Sequence, residues 1–168
     1  MKLNLGCGNK KIEGFTGVDL FPCEQARLLC NIARRLPFRD SCAEEILLDN
    51  VIEHIQDIPA LVKELVRVAR PGAKITIITP HFTSLDSWRD PTHVHHLAYG
   101  SFNHFEKSNA RHYVGGGVRI VGRKLSFGGG VLGLIGRGIF KLSPRKYEEK
   151  WCFLFRAGTL RFELEVVK

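Results

Sequence analysis

Two short apolar runs, Lys2–Leu5 and Gly17–Leu20, each stop at a loop, and the first stops on Gly6-Cys7-Gly8. A run that ends on two glycines is what a buried parallel strand needs where the chain must turn sharply and let its backbone come close to another group. The second run ends on an acid, Asp19, 11 residues beyond Gly8. Strand, glycine loop, strand and acid together direct the chain toward an open α/β sheet whose ligand crevice lies beyond the carboxyl ends of its strands.

The remaining pattern extends that sheet. Arg27–Ile32 reads as a third, peripheral strand, and Glu45–Asp49, after the turn-like Arg39-Asp40-Ser41, as a buried fourth. Ile58, Leu61, Val62, Leu65, Val66 and Ala69 recur at helical steps, with Pro59 in the first turn and Pro71-Gly72 as the stop. The β-branched run Ala73–Thr79 then returns to the sheet as a strand. Beyond Pro80, a histidine- and aromatic-rich stretch includes a helical candidate at Ser101–Ala110. Val118–Phe127 and Thr159–Val167 alternate as strands, the last one antiparallel. Gly128–Ser143 mixes glycine, apolar and basic residues, and both a flexible capping loop and a helix lying on a membrane surface are open for it. The expected fold is a Rossmann-like open, mostly parallel sheet of about seven strands with helices on both faces and an antiparallel C-terminal strand. A chain of 168 residues, 44% hydrophobic, suits one domain over 1–168, with a cofactor half at 1–80 and a substrate and lid half at 81–168.

Several classes are excluded. No apolar stretch approaches the roughly 18–20 residues of a membrane span, and with a first strand expected from Lys2 no signal peptide is expected. Five cysteines, odd in number and without a CxxC pair, fit a reducing cytoplasm better than a disulfide framework or a zinc ribbon. Charge is segregated: residues 1–106 hold 12 Lys+Arg against 13 Asp+Glu, and residues 107–168 hold 13 against 4. That basic third is open to a phosphate, nucleic-acid or lipid-headgroup partner, or is a solvated basic face.

The glycine loop narrows the ligand. Lys11 stands where GxGxxG requires its third glycine, and Asp19 follows Gly8 far sooner than the roughly 20 residues of the dinucleotide fingerprint. Little room remains for a helix to hold a pyrophosphate, and no Walker lysine follows the glycines. A ligand with a ribose and no phosphate fits better.

On the residues Leu3–Leu20, Asn31–Asp40, Glu45–Ile55, Val68–Pro80, Asp90–Phe102 and Phe162–Lys168, the chain resembles the class I S-adenosylmethionine-dependent methyltransferases, in particular a compact bacterial and archaeal group. The resemblance implies S-adenosylmethionine as cofactor and S-adenosylhomocysteine as product. It implies that Gly6, Cys7 and Gly8 approach the methionine part, that Asp19 holds the ribose hydroxyls and that Leu20 packs on adenine. Asn31 stands where the family usually has an acid; its amide oxygen can accept from the adenine amino group, with Ile32 offering a backbone N–H. Asp49 and Asn50 would meet the methionyl amino group or the substrate. With a first strand expected from Lys2, the helices that commonly cap the substrate side in that family are expected to be absent.

Methyl transfer to a hydroxyl or amine needs alignment and a proton acceptor. His81, His54 and His93 are the candidates. Asp86, Asp90, His93, His95 and His96 lack a recognised ligand spacing, so no metal is expected from them. The leading reading is methylation of an oxygen or nitrogen of a small, glycan or lipid-linked acceptor by a cytoplasmic or membrane-peripheral monomer or homodimer. An RNA methyltransferase using the basic third and a non-catalytic cofactor-binding or partner module are the alternatives.

Overall fold

The computed structural model describes residues 1–106 and 117–168. Seven strands, β1 (Lys2–Leu5), β2 (Phe15–Asp19), β3 (Ala26–Leu29), β4 (Ala43–Asp49), β5 (Ala69–Pro80), β6 (Gly117–Phe127) and β7 (Ala157–Val167), form one sheet in the order β3-β2-β1-β4-β5-β7-β6. The first five run parallel, and β7 lies antiparallel between β5 and β6. The order reverses between β1 and β4, and there the loops after the two strands diverge and open a crevice.

Register explains the core. Leu3, Leu5, Val18, Ile46, Leu48, Ile75, Ile77, Leu160, Phe162 and Leu164 face one side of the sheet and are almost fully buried. Helix α1 (Ile58–Val68) covers them with Leu61, Val62 and Leu65, its first turn capped by the Asp57 carboxylate, which accepts from the Ala60 N–H at 2.8 Å. The alternate residues emerge on the other side, where Lys2–Glu45 (2.8 Å), Arg161–Glu163 (3.0 Å) and Lys74–Glu163 (3.9 Å) pair. The connections among β1, β2, β3 and β4 are loops.

Short helix α2 (Asp86–Arg89) follows β5. Ser101–Phe105 is a 3-10 turn that ends at the extended Glu106, and residues 107–110 of the helix expected to Ala110 lie outside the described residues. Of the two readings open for Gly128–Ser143, a capping loop or a helix, Gly130–Leu142 is a helix, α3. Its glycines serve close approach. A Cβ on Gly133 would lie 1.8 Å from the Gly128 carbonyl oxygen, and one on Gly136 would press on Phe155 and the Phe127 ring at 2.9–3.1 Å. Contact with a second small core of Phe127, Tyr147, Cys152 and Ala157 offsets the poor helix propensity of glycine, roughly 1 kcal/mol per residue. Tyr147 anchors that core by donating its hydroxyl to the Phe155 carbonyl at 2.7 Å.

Candidate functional site

The crevice is bounded on one side by the loop after β1. Gly6 has φ +70° and Gly8 φ +50°, the left-handed region that favours glycine. The Gly6 N–H donates to the Val18 carbonyl at 2.8 Å, which folds the loop back over β2. The Asp19 carboxylate at the end of β2 then accepts from the Gly8 N–H (2.8 Å) and the Phe21 N–H (3.2 Å). The sequence expectation that loop and acid meet is thus a direct hydrogen bond.

Next to that acid, Leu20 and Phe21 are 51% and 69% exposed, an apolar surface beside a carboxylate at a strand end. A Cβ on Gly8 would meet nothing within 4 Å, so the backbone there is open to a ligand. An apolar platform, a carboxylate and bare backbone are what an adenosine with a sugar diol fits against. Asn31 is exposed and its amide oxygen accepts from the Ala33 N–H at 2.9 Å, while Ile32 is buried. Cys7 is also buried, its Sγ 3.9 Å from that of Cys23; burial pushes its thiol up to about 11.

Lys10 reaches across the crevice and pairs with Asp49, whose other oxygen accepts from the Asn50 amide at 3.2 Å. Asn50 has φ +55°, the sharp turn that carries the chain off β4.

Beyond β4 and β5 lies a cavity of about 660 Å³ lined by Asn50, Glu53, His54, Asp86, Arg89, Asp90, His93 and Thr159 among others. Of the predicted histidines, His54 and His93 meet here, ring centroids 4.6 Å apart. His81 does not reach the cavity. It is fully buried, its Nδ1 2.8 Å from the Thr83 hydroxyl and its Nε2 3.0 Å from Glu148 Oε1, and it ties the end of β5 to the turn Tyr147–Trp151. His95 and His96 also turn elsewhere, His95 to the Gln56 carbonyl (3.1 Å) and His96 to Ser87 (2.9 Å) beneath the Trp88 ring. Of the grouping Asp86, Asp90, His93, His95 and His96, Asp90 lies 4.0 Å from His93 while His95 and His96 turn away, so the five do not converge.

Glu53 takes a central place that the sequence reading did not assign. Its side chain is 1% exposed; Oε2 accepts from the Thr79 hydroxyl at 3.1 Å, and Oε1 is buried with no hydrogen-bond partner among the described residues. Burial raises its carboxyl above the ordinary range. An acid followed at once by histidine on a turn between buried Ile52 and Ile55 was the available signal.

The chain thus combines a Rossmann-like sheet in this strand order with a glycine loop bonded to an acid at the end of β2 and a titratable crevice beyond β4. Residues 3–77 match the family described as "Methyltransferase domain". Over 47 residues the chain is 40% identical to norajmaline N-methyltransferase of Rauvolfia serpentina, a stretch that is 28% of this chain and 16% of that enzyme's length. The fold resembles an S-adenosylmethionine-dependent methyltransferase from Archaeoglobus fulgidus, with TM-score 0.65, 18% identity, and 98% and 85% of the two chains covered. It also resembles Haemonchus contortus phosphoethanolamine N-methyltransferase 2, solved with phosphomonomethylethanolamine and S-adenosylhomocysteine, with TM-score 0.60, 13% identity, and 99% and 48% covered. Among the described residues no helix is long and apolar enough to cross a membrane.

Proposed function

We propose that this chain transfers the methyl group of S-adenosylmethionine to an oxygen or nitrogen of a small or lipid-linked acceptor held in the 660 Å³ cavity. The observation that carries the reading is the juxtaposition of the Asp19-anchored glycine loop with a cavity holding Glu53, His54 and His93 across the same switch point. In this reading Asp19 accepts from both ribose hydroxyls, Leu20 covers one face of adenine, and the Gly6–Gly8 backbone lies along the methionyl part. Asn31 and Ile32 edge the adenine, and Asp49 exchanges Lys10 for the cofactor's ammonium, with Asn50 beside it. The reaction breaks the methyl carbon–sulfur bond and forms a bond to the acceptor heteroatom. His93 or His54 takes the acceptor's proton, and His81 positions the cavity wall without touching the acceptor.

One observation favours a lipid-linked acceptor. Val131, Leu132, Leu134 and Leu142 on α3 are 62–88% exposed, Phe153 and Leu154 on the neighbouring turn 74% and 63%. Arg137, Lys141 and Lys146 flank them, and the Phe82 and Phe153 rings, 5.8 Å apart, continue this surface toward Trp88, which donates to the Phe82 carbonyl. An apolar face with a basic border suits an anionic bilayer surface. An RNA track is less favoured, because Arg119 and Arg161 pair with Glu165 and Glu163, and Arg145 with Glu149.

Calorimetric titration with S-adenosylmethionine and S-adenosylhomocysteine, beside NAD and ATP, tests the reading. Selective binding of the first two, followed by transfer of labelled methyl to a member of a glycan, lipid and RNA panel, supports it. Equal or absent binding refutes it.

A further inference from the structure

We infer that Glu53, His54 and His93 form a binding site for one divalent transition-metal ion in the wall of the acceptor cavity. One ligand atom from each lies within 4.8 Å of the other two. The His93 Nδ1 is 3.0 Å from the Ser87 carbonyl, which only accepts, so Nδ1 carries the proton and Nε2 the lone pair. For His54 the same follows through a relay. The Thr92 hydroxyl donates its one proton to Asp90 at 2.6 Å, so the His54 Nδ1, 3.0 Å from that hydroxyl, must donate to it, leaving Nε2 as the lone-pair nitrogen.

Both imidazoles are thus oriented by hydrogen bonds from Nδ1 to oxygen acceptors, the arrangement that fixes the tautomer of metal-binding histidines. The third donor is the Glu53 Oε1, which has no hydrogen-bond partner among the described residues and lies 4.0 Å from His93 Nε2. That gap is too long for a hydrogen bond and wider than the roughly 3.4 Å between two donors of a tetrahedral ion with bonds of about 2.0–2.2 Å, so the two groups close on the ion by a small side-chain rotation. Two imidazole nitrogens and one carboxylate oxygen suit zinc, iron(II), cobalt(II) or nickel(II), and the set leaves coordination positions toward the cavity, where a water or an acceptor oxygen completes the shell. With the ion bound, the Nε2 lone pairs of His54 and His93 no longer accept protons, and a hydroxide held by the ion would take the acceptor's proton in their place; that role rests on the proposed function, and the metal site itself does not.

The test is titration of the full, chelator-stripped chain with cobalt(II) alone, read by its visible ligand-field bands and by metal analysis after gel filtration, with zinc(II) as competitor. The expected result is one equivalent of cobalt in a site of low symmetry, displaced by zinc. Glu53→Gln and His93→Gln should each weaken binding at least tenfold, and Thr92→Val, which breaks only the relay, about 10- to 100-fold. His95→Gln and Cys7→Ser should leave it unchanged, the latter because Cys7, Asp19 and Cys23 are the other group of donors close together. Circular dichroism of each variant separates lost binding from lost folding. No stoichiometric binding to the folded wild type, or binding that survives Glu53→Gln and His93→Gln, overturns the site. Cofactor titration of the stripped protein keeps the two readings apart: S-adenosylhomocysteine binding without cobalt binding removes the metal site and leaves the methyltransferase reading standing, and the reverse result does the opposite.

Discussion

Gly6 offers a perturbation whose cost separates into two measurable parts. Its φ of +70° is a conformation that an L-residue adopts at a cost of roughly 1–2 kcal/mol. A Cβ there would also lie 2.4 Å from Val51 Cγ2, the flank of the residue that follows the crevice turn. Forcing an extra methyl into a filled space costs typically about 1–3 kcal/mol. Gly6→Ala should therefore destabilise the fold by about 3 kcal/mol, a fall in Tm of roughly 6–12 °C for a domain of this size. Val51→Ala removes the obstructing methyls but not the backbone strain. In a double-mutant cycle measured by urea unfolding, Gly6→Ala with Val51→Ala should be less destabilised than the sum of the single changes by about 1–2 kcal/mol. Gly8 supplies the contrast: φ +50° with open space around its Cβ position predicts backbone cost alone. If the two Gly6 and Val51 changes are additive to within about 0.5 kcal/mol, the close approach of the first loop to the β4 turn is wrong, and with it the account of why glycine stands there.

Three shorter predictions follow from other places in the fold. Asp19→Ala should raise the dissociation constant for S-adenosylhomocysteine about 100-fold, the loss of two hydroxyl bonds to a carboxylate taken together as about 3 kcal/mol; calorimetry that finds less than a threefold change removes Asp19 as the ribose acid. Within α3, Gly138→Ala, where nothing lies within 4 Å, should stabilise by about 0.4–1 kcal/mol, whereas Gly133→Ala, aimed at a backbone carbonyl, should destabilise despite the same gain in helix propensity, and equal effects in thermal melts would refute the packing role. The neutral thiol of Cys7 is favoured by burial, so its alkylation by iodoacetamide should keep rising tenfold per pH unit toward about 11, while the same peptide in urea levels off near the ordinary value of 9.0. Because the folded state holds that proton more tightly, its contribution to stability is level below about pH 9 and falls as pH rises toward 11; a plateau of native labelling near 9 contradicts the burial.

Much of the sheet was legible because each strand declares itself locally. Leu3 and Leu5, Ile46 and Leu48, Ile75 and Ile77 are apolar at the period that one buried face demands, and Asp19 closes its strand where the glycine loop returns. What was not legible depended on partners distant in sequence. His81 looked free at the end of β5, but Glu148, 67 residues later, takes its Nε2. The glycines of α3 resembled loop residues until the Gly128 carbonyl and the Phe127 ring supplied the reason for their size.

Glu53 is the instructive case. Locally it is one acid in a turn, and nothing in its own segment says that Thr79 bonds one oxygen while the other faces His93 across 4.0 Å. An acid so buried and half-satisfied costs stability of about 1–3 kcal/mol by itself, and it stands beside the cavity rather than in the core under α1. Such a cost persists where the site needs the group, because an apolar residue of the same shape would relieve it. The buried side-chain oxygen without a hydrogen-bond partner among the described residues and the two histidines with defined lone pairs therefore mark one place, which is where the proposed acceptor would be met.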